Sequence, residues 1–301
     1  MKNISELLGC KYPIIQGAMG VISNPEFVAA VSEAGGYGLL ATAFDNDPAI
    51  FKDRVDGVKA LTDKPFGANL MAIHPKAFEF ADILVDAGVK AVTTSGGSPK
   101  ALVPYLKERG IKVLHVVSNV SNAVKAAAAG VDAVIAEGSE SGGMQGFNGA
   151  STMVLTPMVV DAVDVPVVAA GGIGDRRGYQ AAFVLGAVGV QIGTAFIAAE
   201  ECIAHANYKN ALISASESDT RLMNVEWAQF RIVATPVAEE MVAKGGPSKA
   251  EFSAQGASIE EAWVHGDLEA GTIPAGQSTG MIKAIRPMRE IIEDMVRCSS
   301  S

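Results

Sequence analysis

The stretch of the chain that most directly suggests chemistry is SESGGMQGF, residues 139–147. Its paired glycines, Gly142 and Gly143, let a backbone pass close to a bound molecule, because glycine has no Cβ. Met144 follows them directly. A thioether carries no titratable proton, so Met144 can supply an apolar surface but no acid–base chemistry. The stretch predicts a tight loop around a ligand, with no proton carrier at its centre.

Two further glycine-rich segments follow apolar, strand-like runs. GGIGD, residues 171–175, comes after VPVVAA, and Gly193 and Thr194 come after VGVQI. In a parallel barrel, the loops after the seventh and eighth strands commonly bind phosphate through backbone N–H groups. The pair therefore predicts a phosphorylated cofactor or substrate. GGIGD lacks the spacing of a dinucleotide fingerprint, and no GxxxxGK[ST] occurs, so neither a Rossmann nor a P-loop site is indicated.

The elements that must position these loops are short apolar runs alternating with helical stretches. Runs without polar alternation are typical of parallel strands that are buried on both faces. We expect strands near residues 13–17, 37–41, 66–70, 90–94, 112–117, 132–136, 166–170 and 188–192. Eight such units in a row favour an α/β fold of the (β/α)8 TIM-barrel type, with an open doubly wound sheet as the alternative.

The alternating pattern ends after residue 200. The stretch up to Trp263 contains the polar breaks KGGPSK and SAQGAS and shows no strand signal. We therefore predict a barrel over residues 1–217, a small helical appendage over 218–263, and a return segment with a C-terminal helix over 264–301.

Composition narrows the function classes. The 301 residues are 49% hydrophobic and 19% charged, and the formal net charge of −9 disfavours a nucleic-acid partner. Three distant cysteines, Cys10, Cys202 and Cys298, give neither a disulfide framework nor metal-ligand spacing. No secretion signal is recognised, and no apolar run approaches the roughly 18–20 residues that span a bilayer. We expect a cytoplasmic protein without a metal, acting on a small molecule or acyl thioester and forming a homodimer.

Several motifs together resemble one family, the FMN-dependent barrel oxidoreductases that include nitronate monooxygenases (2-nitropropane dioxygenases) and enoyl-ACP reductase II. The resemblance spans nearly the whole chain. Its motifs are YPIIQGAMG, DKPFGANLM, AVTTSGG, DAVIAEGSESGG, VPVVAAGGI, VQIGTAF, HANYK and VHGDLEAGTIPAGQSTGMI.

The resemblance implies a set of FMN contacts. In the family, the first-strand loop passes under the flavin, an Asn after the third strand touches it, and the phosphate lies against the seventh and eighth loops. The positions of this chain that match are Gly17, Ala18, Met19, Asn69, Glu137, Gly142, Gly171, Gly172, Gln191, Ile192, Gly193, Thr194 and Gln277.

This chain departs from the family pattern at one functional position. The sixth-strand loop of both named activities typically reads Gly-Gly-His, and its histidine handles a proton or orients the substrate, whereas the matching residue here is Met144. We expect Met144 and Ser141 to line the substrate pocket. His74, after the third strand, is the best-placed substitute acid. The carboxylates Glu137, Glu140 and Asp175 are interpreted as hydrogen-bonded within their loops.

The expected activity is one whose chemistry does not require that histidine. Hydride transfer needs geometry more than an acid, so NAD(P)H-dependent reduction of an activated alkene such as an enoyl thioester is the favoured function. Oxidation of alkyl nitronates with O2 is the first alternative, because a nitronate is already an anion and needs no base. A flavin-binding partner protein with little turnover is the second.

Overall fold

The computed structural model describes residues 4–147, 149–226, 228–248 and 259–297. Eight parallel strands form a barrel in the order β1-β9-β8-β6-β5-β4-β3-β2. Two hydrogen bonds close the barrel by joining β1 to Tyr37, the residue before β2. Gln16 N donates to Tyr37 O at 2.9 Å, and Tyr37 N donates to Ile14 O at 2.8 Å. The predicted (β/α)8 barrel is confirmed. The strands are β1 (Ile14–Gln16), β2 (Gly38–Ala41), β3 (Phe66–Met71), β4 (Ala91–Ser95), β5 (Lys112–Val117), β6 (Ala133–Glu137), β7 (Gly143–Gln145), β8 (Val167–Ala170), β9 (Gly189–Ile192), β10 (Thr220–Val225) and β11 (Ala228–Val233).

Helices connect the barrel strands and cover them. They begin where the sequence supplies caps: the Asn24 side chain accepts from Phe27 N ahead of Pro25, and Thr235 accepts from Ala238 N ahead of Pro236. The helices are α1 (Ile4–Leu8), α2 (Pro25–Glu33), α3 (Pro48–Leu61), α4 (Ala77–Asp86), α5 (Leu102–Glu108), α6 (Val120–Ala128), α7 (Thr152–Ala162), α8 (Arg176–Val184), α9 (Thr194–Ile197), α10 (Ala206–Ser214), α11 (Pro236–Ala243) and α12 (Met288–Val296).

Alternation along each strand divides the core into an inner and an outer layer. Inside the barrel, Ile15, Leu39, Leu114 and Ile135 belong to one buried cluster. Outside it, the neighbouring residues pack under the helices, as Val113 and Val134 do. Both strand faces are therefore buried, which explains the uninterrupted apolar runs in the sequence.

The segment after the barrel differs from its prediction. In its described residues, β10 and β11 form an antiparallel hairpin, and β11 pairs antiparallel with β7 of the SESGGMQGF loop. The expectation of a helical appendage without strands is wrong for residues 220–225 and 228–233. Strand alternation is weak there because polar residues such as Arg221, Asn224 and Arg231 interrupt it. The boundaries at 217 and 263 stay predictions, and residues 249–258 lie outside the described ranges.

Within the described ranges, no helix combines the length and apolarity needed to cross a bilayer.

Candidate active site

The carboxyl ends of the barrel strands carry a ring of polar side chains on the inner face. Asn69 Nδ2 donates to Thr93 Oγ1 at 2.9 Å, and Ser95 Oγ donates to Asn69 Oδ1 at 2.9 Å. These bonds fix the amide that the resemblance assigns to the flavin. By alternation, Gln191 on β9 shares this inner face with them. The barrel therefore presents preorganised hydrogen-bonding groups at its mouth.

Glu137 completes this ring as the last residue of β6, where it pairs with Ala170 of β8. Burial raises the pKa of the Glu137 carboxyl to about 7, and the nearby Ser141 hydroxyl lowers it by a smaller amount. Ser141 itself is 9% exposed, and its Oγ makes no hydrogen bond of normal geometry within the described chain. Glu137 can therefore be protonated or charged near neutral pH.

One side of the mouth is built from glycine backbone. Gly171 and Gly172 have φ angles of 94° and 70°, which only glycine adopts readily. A Cβ on Gly171 would lie 2.7 Å from the Gly138 carbonyl oxygen. Gly17 N donates to Ile192 O at 2.7 Å and so holds the first loop against the loop of Gly193. We call Gly171, Gly172 and Gly193 the glycine side.

This side has the features needed by a flavin phosphate. Glycine leaves the backbone open to a ligand, and the Thr194 hydroxyl, which accepts from Gly276 N at 2.9 Å, keeps its own proton for donation. The start of α8 is already occupied, because the Asp175 carboxylate accepts from Arg177 N and Gly178 N. The residues that could hold the phosphate are therefore those of the glycine backbone, and not the start of α8. FMN fits these residues.

A second part of the mouth, next to the glycine side, carries Met144. In β7 it pairs with Phe230 of β11, and it packs against the cluster that contains Met223 and Ile232. Its methyl group reaches toward the end of β4: a Cβ on Gly96 would lie 3.7 Å from Met144 Cε and 2.9 Å from Met71 Cε. We call residues 138–147 together with β11 the methionine side. It offers an apolar wall to whatever enters the mouth.

The loop of the methionine side is fastened at several points. The Arg231 guanidinium donates to Ser139 O at 2.9 and 3.2 Å and to Thr220 Oγ1 at 3.1 Å. Burial lowers the pKa of Arg231, and the charge of Glu140 raises it by a smaller amount. Glu140 itself accepts from Thr152 N at 2.9 and 3.0 Å. The hydrogen bonds expected for Glu140 and Asp175 are present, with donors in the first turns of α7 and α8. For Glu137 the expected hydrogen bond stays a prediction.

Gly142 and Gln277 lie where this loop meets the returning chain. A Cβ on Gly142 would lie 2.5 Å from Ala275 C and from Gly276 N, so the two backbones touch. Gln277 N donates to Glu140 O at 2.9 Å. The requirement for glycine at residue 142 is thus explained by loop packing. Its predicted contact with the flavin stays a prediction.

The histidines lie away from the inner face. His115 points out of the barrel, bonded to Thr94 Oγ1 at 2.7 Å, and burial lowers the pKa of His115 to about 4. His74 accepts from Lys76 N at Nδ1 and packs on Phe80 of the outer cluster with ring centroids 5.1 Å apart. Burial lowers its pKa, against a smaller opposing effect of Asp45. His205 caps α10. The geometry gives none of these three a place on the inner face.

Sequence reasoning gathered most residues of the mouth and missed a few. Ala18 and Met19 lie in the loop after β1, where Met19 N donates to Ser23 Oγ at 2.8 Å. Ile192 is buried in the outer core, so it can reach a cofactor only through its backbone. Ser95 was expected in a loop at the mouth, whereas Met71 and Arg231 were missed. The alternation of the β3 run could have found Met71, but nothing in the sequence indicates the pairing that brings Arg231 to Ser139.

The barrel with this mouth defines a cofactor-binding α/β-barrel enzyme. The nitronate monooxygenase family model matches residues 2–297, so the chain belongs to the nitronate monooxygenase family. It is an FMN-dependent oxidoreductase, as predicted.

Three similar proteins span the activities of interest. A probable nitronate monooxygenase of Staphylococcus saprophyticus is 35% identical over 268 residues, 74% of this chain and 75% of that protein. A (3aS,4S,5R,7aS)-5-hydroxy-7a-methyl-1-oxo-octahydro-1H-indene-4-carboxyl-CoA dehydrogenase of Rhodococcus jostii is 29% identical over 334 residues, 97% and 94% of the two chains. The structure of FabK from Thermotoga maritima matches with a TM-score of 0.90 and 37% identity over 98% of this chain and 95% of that one.

Proposed function

We propose that the protein uses NAD(P)H to reduce an activated alkene, with an enoyl thioester as the substrate class. The observation that carries the proposal is the composition of the mouth: an apolar methionine side faces a polar barrel interior, and the family's proton-handling position holds Met144. The similarity to FabK over nearly the whole chain supports the same choice. A relative named as a carboxyl-CoA dehydrogenase supports a thioester substrate.

In such a reaction the cofactor and the protein have separate roles, and the residues of this site suit the protein's role. Bound FMN supplies hydride chemistry, and the protein must orient the acceptor, exclude water and provide one proton. Asn69, held by Thr93 and Ser95, offers fixed polar contacts on the inner face. Met144 and Met71 offer a flexible apolar surface that adapts to an acyl chain or ring.

Nitronate oxidation is the second candidate, and the family match favours it. A nitronate is an anion that can give up an electron without prior deprotonation. A neutral nitroalkane must first lose its α proton to a base, and Met144 cannot accept it. An oxidase built on this site therefore discriminates strongly for nitronates over nitroalkanes.

An anaerobic half-reaction assay separates the candidates. The FMN-loaded protein is mixed with NADH, NADPH or an alkyl nitronate, and flavin absorbance is followed. We expect one of the nicotinamides to bleach the flavin and a crotonyl thioester to restore its colour. Bleaching by the nitronate alone contradicts the proposal and assigns nitronate oxidation. Bleaching by neither donor leaves a flavin-binding protein without turnover.

A further inference from the structure

The family's proton carrier is replaced by Met144, yet alkene reduction requires a proton at the α carbon. The carboxyl groups around the mouth differ in how far they are already engaged. Glu140 accepts from Thr152, Asp175 caps α8 and pairs with Arg177 at 2.6 Å, and Asp45 pairs with Arg54 at 2.6 Å. Glu137 has no such cap or ion pair among the described residues, and its surroundings inside the barrel are uncharged.

We infer that Glu137 and Ser141 form the proton-delivering pair of this site, with Glu137 holding the proton and the Ser141 hydroxyl passing it to the substrate. The inference rests on the proposed alkene reduction. It assigns a proton-transfer role to a carboxyl that sequence reasoning interpreted as a loop or cofactor contact.

The local backbone turns Ser141 back toward the end of β6, where its hydroxyl is near enough to lower the pKa of Glu137. Ser141 N donates to Gly138 O at 3.1 Å, which closes a turn directly after β6 and returns Ser141 toward the end of the strand. The Gln145 side chain donates to Ser141 O and holds the residue from the other side. The Ser141 Oγ is buried and has no hydrogen bond of normal geometry among the described residues, so its proton is free to be relayed. A hydroxyl donates and accepts at once, so it can relay a proton.

The electrostatics of the pair permit transfer near neutral pH. Asn69, Ser95 and Gln191 share the inner face with Glu137 from β3, β4 and β9, Ala170 faces it from β8, and none of them is charged. The charged groups of the methionine side that lie nearest are Glu140, which accepts a hydrogen bond from Thr152 N, and Arg231, which donates to Ser139 O. Burial raises the pKa of Glu137 to about 7, so both protonation states are populated at working pH.

The proton and electron balance closes with NAD(P)H as the reductant. With FMN bound, NAD(P)H would be the source of the hydride for the β carbon, and the C=C π bond would be the bond that breaks. The α carbon takes the proton of Ser141 Oγ while the Glu137 carboxyl gives its proton to the same oxygen. The Glu137 carboxylate then regains a proton from solvent.

The test combines a readout that needs no turnover with one that does. An infrared titration between pH 5 and 9 follows the protonated carboxyl groups of the wild type, Glu137→Gln and Glu108→Gln. Glu108 is an exposed glutamate of α5, so its variant serves as the matched control. We expect a band that titrates near pH 7, is lost in Glu137→Gln and persists in Glu108→Gln. If no band is lost selectively in Glu137→Gln, the inference is overturned.

The second readout is the pH profile of enoyl thioester reduction. We expect the wild-type rate to fall above about pH 7, and Glu137→Gln to lose this limb and about 10²-fold in rate, the lower end for removal of an acid. Ser141→Ala loses rate but keeps the infrared band, and Glu137→Asp keeps a titrating limb. An unchanged pH profile in Glu137→Gln overturns proton delivery. A wild type that reduces no alkene overturns the proposed function, and the infrared result still decides whether Glu137 holds the proton.

Discussion

The two sides of the barrel mouth are built in different ways. The glycine side consists of backbone at the ends of adjacent strands β8 and β9, and its shape follows from φ angles and close contacts. The methionine side depends on side chains and on a pairing with β11, which is distant in the sequence. A side-chain substitution at Met144 can therefore change the surface offered to a substrate without altering the backbone of the glycine side. The resemblance implies such a change at Met144, where the family pattern carries a histidine.

The largest expected effect concerns the contact between the methionine side and the returning chain. Gly142→Ala places a Cβ 2.5 Å from the backbone atoms Ala275 C and Gly276 N, which cannot rotate away. We expect the free energy of unfolding to fall by about 3 kcal/mol, the upper range for overpacking. Denaturant unfolding measures it. Gly149→Ala is the control, since its Cβ would meet Ser139 Cβ at 3.7 Å; an equal loss in both variants contradicts the contact argument.

A chemical change on the same side comes next. Met144→His adds a base at the position where the resemblance implies a histidine, so neutral nitroalkanes can be deprotonated. We expect flavin bleaching by a nitroalkane to accelerate about 10²-fold, with little change for the corresponding nitronate. Stopped-flow absorbance measures both rates. Met144→Leu keeps the wall apolar and should behave as the wild type; equal gains in the two variants would point to altered packing.

Arg231 tests how the methionine side is fastened. Arg231→Met removes the donors to Ser139 O and Thr220 Oγ1, and we expect a loss of about 2 kcal/mol in unfolding free energy, typical of hydrogen bonds to a charged group. The same change at Arg221, which forms an ion pair with Glu239 while 38% exposed, should cost less than about 1 kcal/mol. Equal costs would show that the hairpin does not depend on Arg231.

The smallest predicted effect is a pH-dependent one at Glu137. Its folded-state pKa of about 7 lies above the unfolded value of about 4.3, so the folded protein binds the proton more tightly. The wild type therefore loses stability as pH rises from about 4.3 to about 7. The side chain of Glu137→Gln does not titrate. At pH 8 we therefore expect this variant to melt at a higher temperature than the wild type, by an amount equivalent to about 1 kcal/mol after allowance for partial exposure of residue 137. At pH 4 we expect no such gain. Thermal melts at the two pH values measure it, and a pH-independent difference contradicts the assigned pKa.

The sequence predicts the barrel because doubly buried parallel strands leave uninterrupted apolar runs. The run predicted over residues 112–117 is β5 (Lys112–Val117), and the glycine side follows from the residues after two such runs. The hairpin was missed because its strands contain the half-buried or exposed polar residues Arg221, Asn224 and Arg231, which interrupt the apolar pattern. β7 is three residues long and exists through its pairing with β11. Tertiary contact, and not local propensity, therefore determines the methionine side.

The residues for proton transfer, like the methionine side, depend on tertiary contacts that the sequence does not show. His74 was the best sequence candidate because it follows β3, yet its ring packs on Phe80 outside the barrel. Glu137 was assigned to the cofactor by resemblance, and its raised pKa depends on burial that a linear sequence does not display. Counting alternate residues along β6 would have placed Glu137 on the inner face, but not Ser141 beside it.

The most direct test is a titration of the apoprotein with FMN, in which binding is measured by the quenching of flavin fluorescence. We expect stoichiometric binding in the wild type and in Met144→Leu, and a loss of about tenfold or more in affinity in Gly171→Ala, whose Cβ would lie 2.7 Å from Gly138 O. Gly88→Ala, which has a φ of 79° and nothing within 4 Å of its Cβ, controls for backbone strain alone. Failure of the wild type to bind FMN, or equal affinity in Gly171→Ala, would contradict the assignment of the cofactor to the glycine side.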